Sequence, residues 1–131
     1  MTWKKWMSAN RKYMNRKGVK VNENIKKIAE HYGYGEQSLM LIEEMAELAQ
    51  AINKFRRAGK SEQDAALDHI HEEIADVEVC LDQIKWLLGC EANVKMWKDI
   101  KTARQVKRIE AENDIKKAER IAERIRKLVK G

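Results

Sequence analysis

The chain contains no proline and only six glycines in 131 residues. Both residues interrupt regular structure, so their scarcity predicts few and long elements. Two cysteines are present, Cys80 and Cys90. Two thiols make no disulfide framework, and they read as reduced, buried groups of a cytoplasmic protein. No apolar run approaches the roughly 18 residues that a membrane span requires. The N-terminus is basic, but no apolar signal core follows it. These absences set aside membrane proteins and small disulfide-stapled secreted domains.

Charge and apolar residues are abundant instead. Hydrophobic residues make up 44% of the chain and charged residues 37%. That mixture, rich in Ala, Glu, Lys, Leu and Arg, suits amphipathic helices rather than disorder. The expected fold is all-α: a bundle of antiparallel helices, completed by oligomerisation, with a long C-terminal helix. A chain of this length fits one domain, and assembly often completes a core of that size. The formal net charge is +6. A basic surface attracts polyanions, either nucleic acid or a nucleoside triphosphate. The positive excess sits in residues 1–27 and 95–130, and the acidic residues gather between Glu36 and Glu91.

Residues 1–21, with Trp3, Trp6, Tyr13 and Gly18, read as a basic N-terminal arm. Asn22 is placed to cap a short helix from Glu23 to His31, with Ile25, Ile28 and Ala29 inward. Tyr32-Gly33-Tyr34-Gly35 reads as a loop. A long helix is expected over 36–57, with Leu41, Met45, Leu48, Ile52 and Phe55 as its packing seam. Gly59 is expected to stop it. Ser61-Glu62-Gln63-Asp64 has the form of a capping box that opens the next helix. That helix should run to Leu88, with the seam Leu67, Ile70, Ile74, Val77, Leu81, Ile84 and Leu88, and close at Gly89. Residues 93–130 read as one long helix or two with a bend. Ala111, Ile115, Ala118, Ala122, Ile125 and Val129 keep heptad spacing there, which suits a partner subunit or a coiled coil. No internal repeat is present.

The two middle helices carry paired acids. Glu44 and Glu47 are three apart, as are Glu73 and Asp76, so each pair shares a helix face. Like charges at that spacing repel. Each pair also borders an apolar seam, where an unpaired carboxylate is expensive to bury. A divalent ion would supply the missing charge, and oxygen ligands of this kind select magnesium, with manganese as a second choice. The plain alternative is a set of solvated acids on helix surfaces.

The segment Leu41-Ile42-Glu43-Glu44-Met45-Ala46-Glu47-Leu48, followed by Glu73-Ile74-Ala75-Asp76-Val77, resembles the MazG-like, all-α nucleoside triphosphate pyrophosphatases. Their motifs are E-E-x-x-E on one helix and E-x-x-D on the next. The resemblance covers roughly residues 22–108; the arm 1–21 and the helical extension 109–131 lie outside it. It implies a hydrolase that cleaves (d)NTP to (d)NMP and pyrophosphate. Carried over residue by residue, Glu44, Glu47, Glu73 and Asp76 become metal ligands. Glu43 and Glu44 become the catalytic carboxylates, with Glu43 orienting a ligand or the attacking water. A homodimer or homotetramer is the expected assembly.

Cations for the phosphates are sought in Lys54, two turns beyond Glu47, and in Lys98, Lys101 and Arg104, with Lys95 near them. For each one alone, a solvated role competes. Trp86 and Trp97 are candidates for stacking on a base, against ordinary packing. His69 and His71 read as surface or half-buried histidines. A di-iron carboxylate bundle would need two E-x-x-H elements. None is present, and Asp68-x-x-His71 is the nearest approach. The non-enzymatic alternative is a basic helical nucleic-acid-binding or scaffold protein, including a degenerate family member. It uses the basic ends but leaves the acidic centre unexplained.

Overall fold

A computed structural model describes residues 22–131. The expected arm at 1–21 lies outside the described residues. The described chain is all-helical: α1 spans Glu23–Arg57, α2 Gln63–Leu88 and α3 Glu91–Lys130. No described helix is long and apolar enough to cross a membrane. The chain divides into two units, one ending at Ala92 and the other running from Asn93 to Gly131.

Asn22 caps α1 as expected. Its backbone is extended and its Oδ1 accepts the Asn24 N–H at 2.8 Å. The loop expected at Tyr32–Gly35 shrinks to a single residue. Gly33 has φ 83° and ψ 172°, and helical geometry resumes directly after it. Essentially only glycine reaches that region, so one residue makes the break. At the other end Ala58, in extended backbone, terminates the helix. Gly59 is not left-handed, so its expected role as the stop is corrected. Lys54, Arg56 and Arg57 in the last turn suit the negative end of the helix dipole.

The capping box is also corrected. Glu62 stands at the N-cap position of α2 in helical geometry, and no side chain caps the helix. A box needs an extended residue there. Here Ser61 lies in a tight turn closed by the Glu62 N–H on the Gly59 carbonyl at 2.9 Å. Gly89 closes α2 as expected, in the left-handed region at φ 60°. The Gly89 N–H reaches the Trp86 carbonyl and the Cys90 N–H the Lys85 carbonyl, so the last carbonyls are satisfied. The third helix is continuous, without the bend considered above.

Helices α1 and α2 pack together as an antiparallel pair. Lys26 meets Trp86, Gln37 meets Gln83 and Glu47 meets Glu73, so partners fall in number on α2 as they rise on α1. The inward line on α1 is Gln37, Leu41, Glu44, Leu48, Ala51 and Phe55, and on α2 it includes Ile70, Glu73, Val77, Cys80 and Ile84. The expected seams are therefore displaced. Met45, Ile52, Ile74 and Leu81 remain exposed, at 47%, 43%, 41% and 40%. In each case the preceding residue, Glu44, Ala51, Glu73 or Cys80, is the more buried. Two helices can cover only a narrow strip of each other, while each apolar band is wider than that strip. Cys80 is buried and Cys90 half-buried, and both thiols are free. Burial pushes both thiols up, with Glu44 and Asp76 adding to the effect on Cys80 and Glu91 on Cys90.

A glycine exchange tests the break. A Cβ at Gly33 meets nothing within 4 Å, so Gly33→Ala is strained by backbone alone. It should cost about 1–3 kcal/mol. Gly59→Ala, also in open space but without a positive φ, should be neutral or stabilise by up to about 1 kcal/mol. Urea unfolding of both variants measures the contrast.

Candidate metal centre

The inward strip carries charge where most helix pairs carry leucine. Helix α1 contributes Glu44, half-buried, and Glu47, exposed, and α2 contributes Glu73, buried. One carboxylate oxygen from each lies within 4.8 Å of the others. The helical net explains the set. Glu44 and Glu47 are one turn apart on α1, and the antiparallel neighbour brings Glu73 opposite them.

Two oxygens at this centre are buried without a hydrogen-bond donor: Glu44 Oε2 and Glu73 Oε2. Burial raises the Glu44 carboxyl above the ordinary range, with Asp76, Glu47, Glu73 and Glu43 raising it further. Glu73 is raised by burial first and by Glu47 next; His69 opposes, and Asp76 and Glu72 add smaller increments. Asp76 is outside the tight set of three oxygens but close enough to act on both buried acids. Glu43 and Glu72 are exposed and make the weakest contributions to their neighbours.

This donor set fits a hard divalent cation. Oxygens on one magnesium lie about 2.1 Å from it, hence at most about 4.2 Å apart. The observed 4.8 Å spread is slightly wider than that, so the carboxylates would have to draw together to share one ion. An ion would also answer the two unpartnered oxygens, which otherwise carry a desolvation cost.

His69 lies beside the centre, its Nε2 3.5 Å from Glu73 Oε1. Sequence reasoning gave it no role. The signal was present, since His69 and Glu73 are four apart and face the same way. His71 instead approaches Asp68 at 3.9 Å, both exposed. The Gln37 and Gln83 amides form a buried hydrogen bond on the same strip, and this pair was not foreseen either.

Lys54 is exposed near the end of α1. With Gln50, Asn53 and Arg57 it lines an open cleft of about 340 Å³. Gln50 and Arg57 were missed, although both lie within one turn of Lys54. Lys98, Lys101 and Arg104 are exposed on α3, in the second unit. Lys95 is engaged by Asp99 at 2.8 Å on the same helix. Trp97 is exposed, whereas Trp86 is half-buried with the Lys26 ammonium 4.8 Å from its ring centre.

The raised carboxyls make stability depend on pH. An acid whose folded pKa lies above its unfolded value binds more protons when folded. Stability of the metal-free protein is then gained as pH falls through the folded pKa and is lost again as pH rises. Melting temperature without metal should therefore rise from pH 7 toward the ordinary carboxylate range. Glu44→Gln should flatten that slope, and millimolar magnesium should stabilise the natural chain at pH 7 but not this variant. Calorimetry across pH, with EDTA or magnesium, reads both effects. Compared with known proteins, the chain matches no family model, no curated protein and no solved structure.

Proposed function

We propose that the chain is a divalent-metal-dependent nucleoside triphosphate pyrophosphohydrolase. The observation that carries this reading is the convergence of Glu44, Glu47 and Glu73 from two helices, with two buried oxygens lacking donors. The motif resemblance supplies the reaction class. Glu44, Glu47, Glu73 and Asp76 would hold magnesium, or manganese in its place. When bound, such an ion neutralises phosphate charge and lowers the pKa of a coordinated water.

The chain's own residues do the rest. Glu43, exposed and next to Glu44 in the chain, would orient the attacking water and accept its proton. Water adds at phosphorus, the bond between the α- and β-phosphates breaks, and pyrophosphate leaves from a nucleoside monophosphate. Lys54 sits about 10 Å along the helix from Glu47. A triphosphate tail can bridge that span, with Arg57 as a planar fork and Gln50 and Asn53 as neutral partners.

A homodimer or homotetramer is part of the proposal. Met45, Ile52, Ile74 and Leu81 are exposed on the two-helix unit, and its buried apolar set is small. Helices from another copy would cover that flank, as in a four-helix bundle. The second reading is a basic nucleic-acid-binding or scaffold protein, and the exposed basic residues of α3 favour it.

The deciding experiment is pyrophosphate release from a panel of ribo- and deoxynucleoside triphosphates with magnesium, manganese or EDTA. Turnover should need metal. Glu47→Gln and Asp76→Asn should each lower it by more than about 100-fold, while circular dichroism keeps its helical signal. Silence from the folded protein across the panel, together with salt-dependent binding of DNA or RNA in EDTA, would support the second reading instead.

A further inference from the structure

The end of α3 carries an apolar face with nothing of its own unit to pack on. Ile115 and Ile125 are 60% and 56% exposed, and Val129 is 81% exposed. With Ala111, Ala118 and Ala122 they recur at alternating steps of four and three, the spacing of a coiled-coil seam. Charge along this stretch is segregated. Residues 109–115 hold Glu110, Glu112 and Asp114 and no base. Residues 124–130 hold Arg124, Arg126, Lys127 and Lys130 and no acid.

We propose that this segment pairs with the same segment of a second copy, antiparallel and centred near Arg120. That register sets Ala111 opposite Val129, Ile115 opposite Ile125 and Ala118 opposite Ala122. Every layer is apolar, and alanine at half of the positions lets the helices approach closely. The acidic block of each copy then lies along the basic block of the other, with Glu112 beside Arg126. Parallel pairing would set each block against itself, and Asp114 would face Glu119 of the other helix. Antiparallel pairing has one like-charge contact, Glu119 against its own copy at the centre, with Lys116 one turn before it on the same helix. The seam from 111 to 129 is about 27 Å long. It is short for a free-standing coiled coil, so it adds to whatever contact the acidic helix pair makes.

Cysteine cross-linking of the full chain tests the register. Ala111→Cys and Val129→Cys proteins are mixed, oxidised mildly and digested, and the linked peptides are identified by mass. Peptide mapping separates tail links from any that involve Cys80 or Cys90. A link between positions 111 and 129 should dominate in the mixture. Neither protein alone should link to itself, because like positions lie about 27 Å apart in this register. Adding Ile115→Glu and Ile125→Glu should remove the product while the helical signal stays. Self-linking at 111 would overturn the proposal in favour of a parallel pair. Absence of tail links, with the tail protected from proteolysis only when DNA or RNA is added, would overturn it in favour of nucleic acid. Neither result bears on the pyrophosphatase reading, which the turnover assay decides separately.

Discussion

Helices α1 and α2 meet along a strip that contains Glu44 and Glu73, and each carboxylate has one oxygen buried without a hydrogen-bond donor. Taking like charges out of water is among the costlier choices available to a helix pair. The helices must come together through the remaining contacts: Leu41, Leu48, Ala51 and Phe55 against Ile70, Val77, Cys80 and Ile84. The acids shift toward the protonated form as a consequence, and so does the thiol of Cys80 beside them. A strip built this way stores repulsion that a cation would relieve. Its chemistry and its stability therefore depend on the same side chains.

The narrowness of that strip shapes the rest of the unit. Each helix has an apolar band wide enough for two neighbours, but within this unit each packs only on the other. Where the band is wider than the contact, the acid turns inward and the next residue stays in water. Glu44 and Met45 show this on one helix, and Glu73 and Ile74 on the other. The buried Gln37–Gln83 hydrogen bond adds a polar contact to the same strip, the Gln37 amide N–H donating to the Gln83 amide oxygen. It favours one alignment of the helices, because sliding either one would leave two buried amides without partners.

Some features were legible because the physics is local. The Asn22 cap, the Gly89 closure and the long helices follow from propensity and from backbone freedom at single residues. The acidic pairs were legible because three-residue spacing puts side chains on one face whatever the tertiary context. Other readings went astray where local patterns compete with neighbours. Ser61 to Asp64 has the letters of a capping box, but the turn from Gly59 to Glu62 holds the chain in a geometry that a box cannot use. Leu41, Leu48, Phe55, Ile70, Val77 and Ile84 of the expected seams do face inward, but at Met45, Ile52, Ile74 and Leu81 packing chose the smaller or more polar residue just before. His71 is nearer Glu73 in sequence, but the helix brings His69, four residues away, onto the face of Glu73.

The sequence by itself determined that the chain is helical, where most of its helices end, and that two pairs of acids lie on helix faces. Those properties arise from backbone preferences and from a period of 3.6 residues, which need no partner. Only the tertiary structure decided which carboxylates meet. Glu44, Glu47 and Glu73 share a centre, while Asp76 acts on it from outside the tight set. The reason is physical: one sequence pattern allows several rotations of a helix about its axis, and only packing against a second helix selects among them.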